Sequence, residues 1–119
     1  MKFLDTYALV KIVQGDLLVK KLLSEELVTF DLNLAELYAA LLRLYDKKTA
    51  DKYYLLFSSI SQAFPSSLIP RAMIWKKTHA QHKFSYADAL GYIFAQTKGV
   101  DFVTGDKEFK SFKGVLFLN

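Results

Sequence analysis

Four of the chain's acids stand where one structural element gives way to another. Asp5 closes the apolar run of "KFLD", and Asp106 follows "FVTG". Glu36 falls in the first turns of the helix after "LVTF", and Asp88 opens "SYADALGYIFAQ". Carboxylates gathered into one small site repel and do not all stay ionised without a counter-charge. Oxygen-only donors of this kind suit a hard divalent cation, Mg²⁺ or Mn²⁺. Each acid also has an ordinary use. Asp88, three residues after Ser85, completes a capping box. Asp106 suits a turn after Gly105. Glu36 suits a solvated helix face. Asp5 lies among apolar neighbours, where an acid needs partners.

Whether the four meet depends on the elements that carry them. Residues 2 to 5 read as a short buried strand, "YALVKIVQG" as a helix stopped by Gly15, and "DLLVKKLLS" as a second helix with Asp16 as its N-cap. "LVTF", residues 27 to 30, is a further strand. In "DLNLAELYAALLRLYDK", Leu34, Leu37, Tyr38, Leu41, Leu42 and Tyr45 recur at helical spacing. Residues 49 to 62 continue as helix until "FPSSLIP", where "SSLI" reads as a brief strand and Pro70 suits the first turn of a helix through "RAMIWKKTHAQH". "SYADALGYIFAQTKG" is a helix with Ser85 at its N-cap and Gly99 past its end. "DFVTG" and "VLFL" are strands. Short apolar strands alternating with helices predict an α/β fold, a three-layer α/β/α sandwich around a central parallel sheet. Ligands of such folds gather at the carboxyl ends of the strands, and if the sheet is parallel all four acids can converge on that edge.

At 119 residues, 52% of them hydrophobic, the chain is expected to form one domain over residues 1–119 with a single core. It has no cysteine, which excludes disulfides and thiolate chemistry and fits a reducing, cytoplasmic setting. No apolar run reaches the length of a membrane span, and "MKFLDTYALV" is not a secretory signal. Sixteen Lys and Arg against twelve Asp and Glu give +4, a mild bias towards polyanions.

The stretches "FLDTYALVK", "LAEL", "SYADALGYIFA" and "FVTGDKEF" together resemble, in order and over the length of the chain, the four acidic motifs of the PIN domain. The last, a strand followed by T-G-D-x-x-F, is the most specific. Chain length adds a resemblance to VapC-type toxins of toxin–antitoxin pairs. The resemblance implies a Mg²⁺- or Mn²⁺-dependent ribonuclease, with Asp5, Glu36, Asp88 and Asp106 as metal-binding acids and Thr104 as a polar neighbour orienting the site. It also implies a small antitoxin partner. The family often carries a small hydroxyl residue after "DT", where this chain has Tyr7.

Hydrolysis of an RNA phosphodiester by metal-activated water needs no histidine, and His79 and His82 read as helix-end residues. Lys107, Lys11 and Arg43 are candidate phosphate contacts, Lys107 first because it adjoins Asp106. Tyr38, Tyr45, Tyr53, Tyr54 and Phe57 supply more aromatic surface than one small core absorbs, which predicts a homodimer. The alternatives are a non-toxin RNA-processing nuclease and a non-catalytic RNA- or protein-binding module, the latter opposed by the presence of all four acids. An aspartate-nucleophile phosphotransferase is disfavoured because it wants D-x-D and position 7 is Tyr.

Overall fold

Side chains alternate across a strand, and here the alternation divides the core in two. Phe3, Val28, Phe30 and Phe102 face one side of the sheet, while Leu4 and Val103 face the other. The computed structural model describes residues 1–15 and 25–118. The helix expected over "DLLVKKLLS", with Asp16 as its cap, lies outside the described residues.

The strands are β1 (Lys2–Leu4), β2 (Leu27–Phe30), β3 (Ser61–Gln62), β4 (Asp101–Thr104) and β5 (Val115–Phe117). They form one parallel sheet in the order β3-β2-β1-β4-β5. On the aliphatic face lie α1 (Thr6–Val13), α2 (Asp31–Leu44) and α3 (Lys47–Ser58), which bury Leu9, Leu34, Leu37, Leu41 and Phe57. The aromatic face is covered by α4 (Ile69–Thr78) and α5 (Tyr86–Lys98), with Tyr92, Ile93 and Phe94 in its core. The α/β/α sandwich with a central parallel sheet is therefore as expected.

Close approach of α5 to β1 depends on Gly91, where a Cβ would come within 2.6 Å of Phe3 Cε1. The missing side chain leaves room for the Phe3 ring, which stacks on Phe102 at 5.7 Å and meets Phe30 edge-on at 4.9 Å. Such pairs add to the burial of large apolar rings. Phe109 is fully buried, 4.4 Å from Phe84 and 4.7 Å from Phe102, and so anchors the segment after Asp106.

Several boundaries differ from expectation. β1 stops at Leu4, because Asp5 accepts a hydrogen bond from the amide of Ala8 and becomes the N-cap of α1. The helix expected through residue 62 ends at Ser58, where the hydroxyls of Ser58 and Ser59 bond back to the carbonyls of Leu55 and Leu56; such bonds compete with continued helix. Ser61 and Gln62 instead pair with Thr29 and Phe30 as an edge strand. With that edge taken, "SSLI" is not a strand. Ser66–Leu68 is a 3₁₀ turn leading into α4, with Pro70 in its first turn. α4 ends at Thr78 and is followed by a 3₁₀ turn over Ala80–His82. Leu42 and Tyr45, counted in the apolar stripe of α2, are about half exposed, Tyr45 standing past the end of the helix as its C-cap. No helix among the described residues is long and apolar enough to cross a membrane.

Candidate active site at the carboxyl edge of β1 and β4

The strand order reverses at β1: the chain continues to β2 on one side and returns later to β4 on the other. Connections on opposite faces leave a crevice beyond the carboxyl ends of the two strands. Asp5 follows β1 and Asp106 follows β4, so the topology delivers both to this crevice. Glu36 arrives from α2 and Asp88 from the first turn of α5. All four line one cavity of about 550 Å³, together with Thr6, Tyr7, Lys11, Arg43 and Ser85.

Each acid is fixed by one oxygen. Asp5 Oδ1 accepts from the Ala8 amide at 2.8 Å. Glu36 Oε1 accepts from the Thr6 hydroxyl at 2.6 Å. Asp88 Oδ2 accepts from the Ser85 amide at 2.8 Å while the Ser85 hydroxyl accepts from the Asp88 amide, a complete capping box. Asp106 Oδ1 accepts from the Glu108 amide at 3.0 Å. The structural uses expected of Asp88 and Asp106 are thus real, and they hold these carboxylates at the cavity rather than competing with a role there. Thr104, fully buried, hydrogen-bonds the Asp5 carboxyl while its Oγ accepts from the Asp106 amide at 3.0 Å. One hydroxyl therefore links the acids of two strands.

Electrostatically the two edges of the sheet differ. At the amino edge Lys2 pairs with Glu25 and Asp101. At the carboxyl edge the four acids take part in none of the ion pairs found among the described residues. Asp5 is only 3% exposed, and burial pushes its carboxyl up to about 7; hydrogen bonds with Thr104 and Ala8 oppose the shift, and the charges of Asp88 and Asp106 add to it. Burial also raises Asp88, against its bonds to Ser85 and with the charges of Glu36 and Asp106 behind it.

Acidic oxygens converging without a cationic partner are the donor chemistry of a hard divalent cation. As they stand, no three His, Cys, Asp or Glu side chains among the described residues are grouped closely enough to hold a metal ion. Glu36, Asp88 and Asp106 each keep one carboxylate oxygen outside the bonds above.

Among the expected phosphate contacts, Lys11 and Arg43 line the cavity, whereas Lys107 does not. Lys107, itself exposed, begins a 3₁₀ turn, so sequence adjacency to Asp106 does not place it in the crevice. His79 and His82 lie elsewhere, His79 against the Trp75 carbonyl and His82 3.6 Å from Glu108. Two residues not singled out from sequence belong to the arrangement. Asn33, buried one turn before Glu36, donates to Thr6 at 3.2 Å, and Thr6 in turn donates to Glu36. The only signal for this relay was the three-residue spacing of Asn33 and Glu36 on one helix.

The PIN domain family model matches residues 2–115. The chain belongs to the PIN domain family. PIN domains generally use divalent metal ions. Among solved structures, VapC20 of Mycobacterium tuberculosis, a sarcin–ricin loop cleaving toxin, superposes on this PIN domain with a TM-score of 0.78 at 20% identity, covering 97% of each chain. A chain of a toxin–antitoxin complex from Klebsiella pneumoniae gives a TM-score of 0.75 at 16% identity, over 98% of this chain and 96% of that one. A Pyrobaculum aerophilum protein gives 0.74 at 18% identity, over 98% and 89%. At these identities the likeness is one of fold. No curated protein sequence matches significantly.

Proposed function

We propose that this PIN domain, acting as one unit over residues 1–119, is a Mg²⁺- or Mn²⁺-dependent ribonuclease and the toxin of a toxin–antitoxin pair. What carries the reading is a single observation: Asp5, Glu36, Asp88 and Asp106, from four different elements, line one cavity that also offers Lys11 and Arg43. Asp5, Glu36, Asp88 and Asp106 would hold the cation. What the cation supplies when bound is a lowered pKa for attacking water and neutralisation of charge on the phosphate and leaving oxygen. The remaining work falls to the chain. Thr104 holds Asp5 and the backbone of Asp106 in register, Ser85 fixes Asp88, and the Asn33–Thr6 relay fixes Glu36. Lys11 and Arg43 draw the RNA backbone towards an otherwise acidic cavity.

The partner side of the proposal rests on fold likeness to the toxins named above and on charge. An antitoxin segment bearing basic side chains would neutralise the same cavity. Homodimerisation is proposed for the surface that includes Tyr45, Tyr54, Leu55 and Leu56, all between about half and 70% exposed. The test is cleavage of RNA by the purified protein with Mg²⁺ or Mn²⁺, with chelator, and with Asp88→Asn. Metal-dependent cleavage lost in the variant is expected, together with a rise of a few degrees in Tm on adding Mn²⁺. No cleavage with either metal defeats the reading and leaves a non-catalytic binding module. Growth arrest on expression, relieved by a small protein encoded beside it, separates a toxin from an RNA-processing nuclease.

A further inference from the structure

Tyr7 sets this chain's first motif apart, and it stands within the lining of the acidic cavity. It occupies the first turn of α1 and keeps 44% of its surface exposed. One edge of its ring lies over the turn that delivers Asp106. A Cβ at Gly105 would sit 2.3 Å from Tyr7 Cε1 and 2.6 Å from Cδ1, so any side chain at 105 would evict the ring. The turn is therefore built to seat it. One helical turn on, Lys11 holds its ammonium 5.6 Å from the ring centroid, and Lys11 also lines the cavity.

A seated, half-open aromatic ring beside a cation is the pairing by which proteins take up single-stranded nucleic acid. Bases stack on the ring without regard to hydrogen-bonding pattern, and the backbone follows the positive charge. Simple packing against Gly105 would be served by burying the residue, yet it lines the cavity with nearly half of its surface exposed. We propose that Tyr7 is a nucleobase shelf: an unpaired base flanking the cleaved bond stacks on its ring, with the adjoining phosphate at Lys11. This rests on the ribonuclease reading and adds a subsite to it.

The experiment uses a single-stranded RNA that the wild type cleaves, and versions of it with an abasic ribose at each nucleotide flanking the cut in turn. Stacking on one aromatic side chain predicts about a tenfold loss of kcat/KM for Tyr7→Ala on intact RNA, carried mainly by KM. Tyr7→Phe should cleave close to wild type. One abasic RNA should lose a similar factor with the wild type, and Tyr7→Ala should lose nothing further on it. Equal losses for Tyr7→Ala on intact and abasic RNA would mark a structural role and overturn the shelf while leaving the nuclease intact. Tyr7→Leu covers Gly105 without an aromatic face and serves if Tyr7→Ala melts early. The abasic series needs no variant: wild type that cleaves every abasic RNA as fast as the intact one also overturns the shelf. Absence of any cleavage by the wild type defeats the ribonuclease reading itself, and the shelf with it.

Discussion

Asp5 and Asp46 do the same local job, yet their carboxyls are shifted in opposite directions. Each is an extended residue capping a helix, and each accepts from the amide three residues on, Ala8 at 2.8 Å and Thr49 at 2.7 Å. At Asp46, on the surface, hydrogen bonding to Thr49 prevails and holds the carboxyl below its ordinary range. At Asp5 burial outweighs the same bond and pushes the carboxyl up to about 7. A cap bond is a property of four consecutive residues, whereas the cost of a charge is set by everything that excludes water around it. The fold thus keeps at its carboxyl edge an acid that is uncomfortable when ionised and that a cation would stabilise.

Substitution by Asn keeps the cap acceptor at both positions and removes only the charge. Asp5→Asn should lower metal-dependent RNA cleavage by about a hundredfold or more, as expected for loss of a charged ligand, while Asp46→Asn leaves it unchanged. Equal activity of the two variants in a single-turnover assay would dissolve the distinction.

The next contrast is in stability without metal. Between pH 4 and about 7 the folded Asp5 retains its proton while the unfolded chain has lost it. The folded state then binds more protons, so raising pH across this window destabilises it, on the order of a few kcal/mol in all. Asp46, with a lowered folded pKa, works the other way: its contribution is present above pH 4 and lost as pH falls through its folded value. Melting followed from pH 4 to 8 in chelator should show Tm falling for the wild type and much less for Asp5→Asn. A wild-type Tm that holds level from pH 4 to 7 would show that Asp5 ionises without penalty.

A smaller effect is expected one residue further on. Thr6→Val keeps the size of the side chain but leaves Glu36 and Asn33 without the hydroxyl between them. Cleavage should fall about tenfold with a loss of only about 1 kcal/mol in stability, read by kinetics and melting side by side. A loss confined to stability would reduce the relay to packing.

Much of this was legible in the chain itself, because it depends on neighbours in sequence. The capping box of Ser85 and Asp88 and the turn at Thr104-Gly105-Asp106 are local patterns, and they stand as expected. Ser61–Gln62 was not legible as a strand, because two residues become one only when an edge of β2 is open beside them. The position of Lys107 outside the cavity lining was not legible for the converse reason: adjacency to Asp106 along the chain says nothing about which way a 3₁₀ turn carries the next side chain.

The sequence by itself determined the types and spacing of the four acids and the elements that carry them, since caps, turns and periodicity are set by short-range sterics and hydrogen bonds. Only the tertiary structure decided that these acids share one cavity with Lys11 and Arg43, that Asn33 reaches Glu36 through Thr6, and that Gly105 gives the Tyr7 ring its seat. It also decided that Asp5 and not Asp46 resists ionisation. Those outcomes depend on strand order and on the exclusion of water, which arise when distant segments pack and have no counterpart in any single stretch of chain.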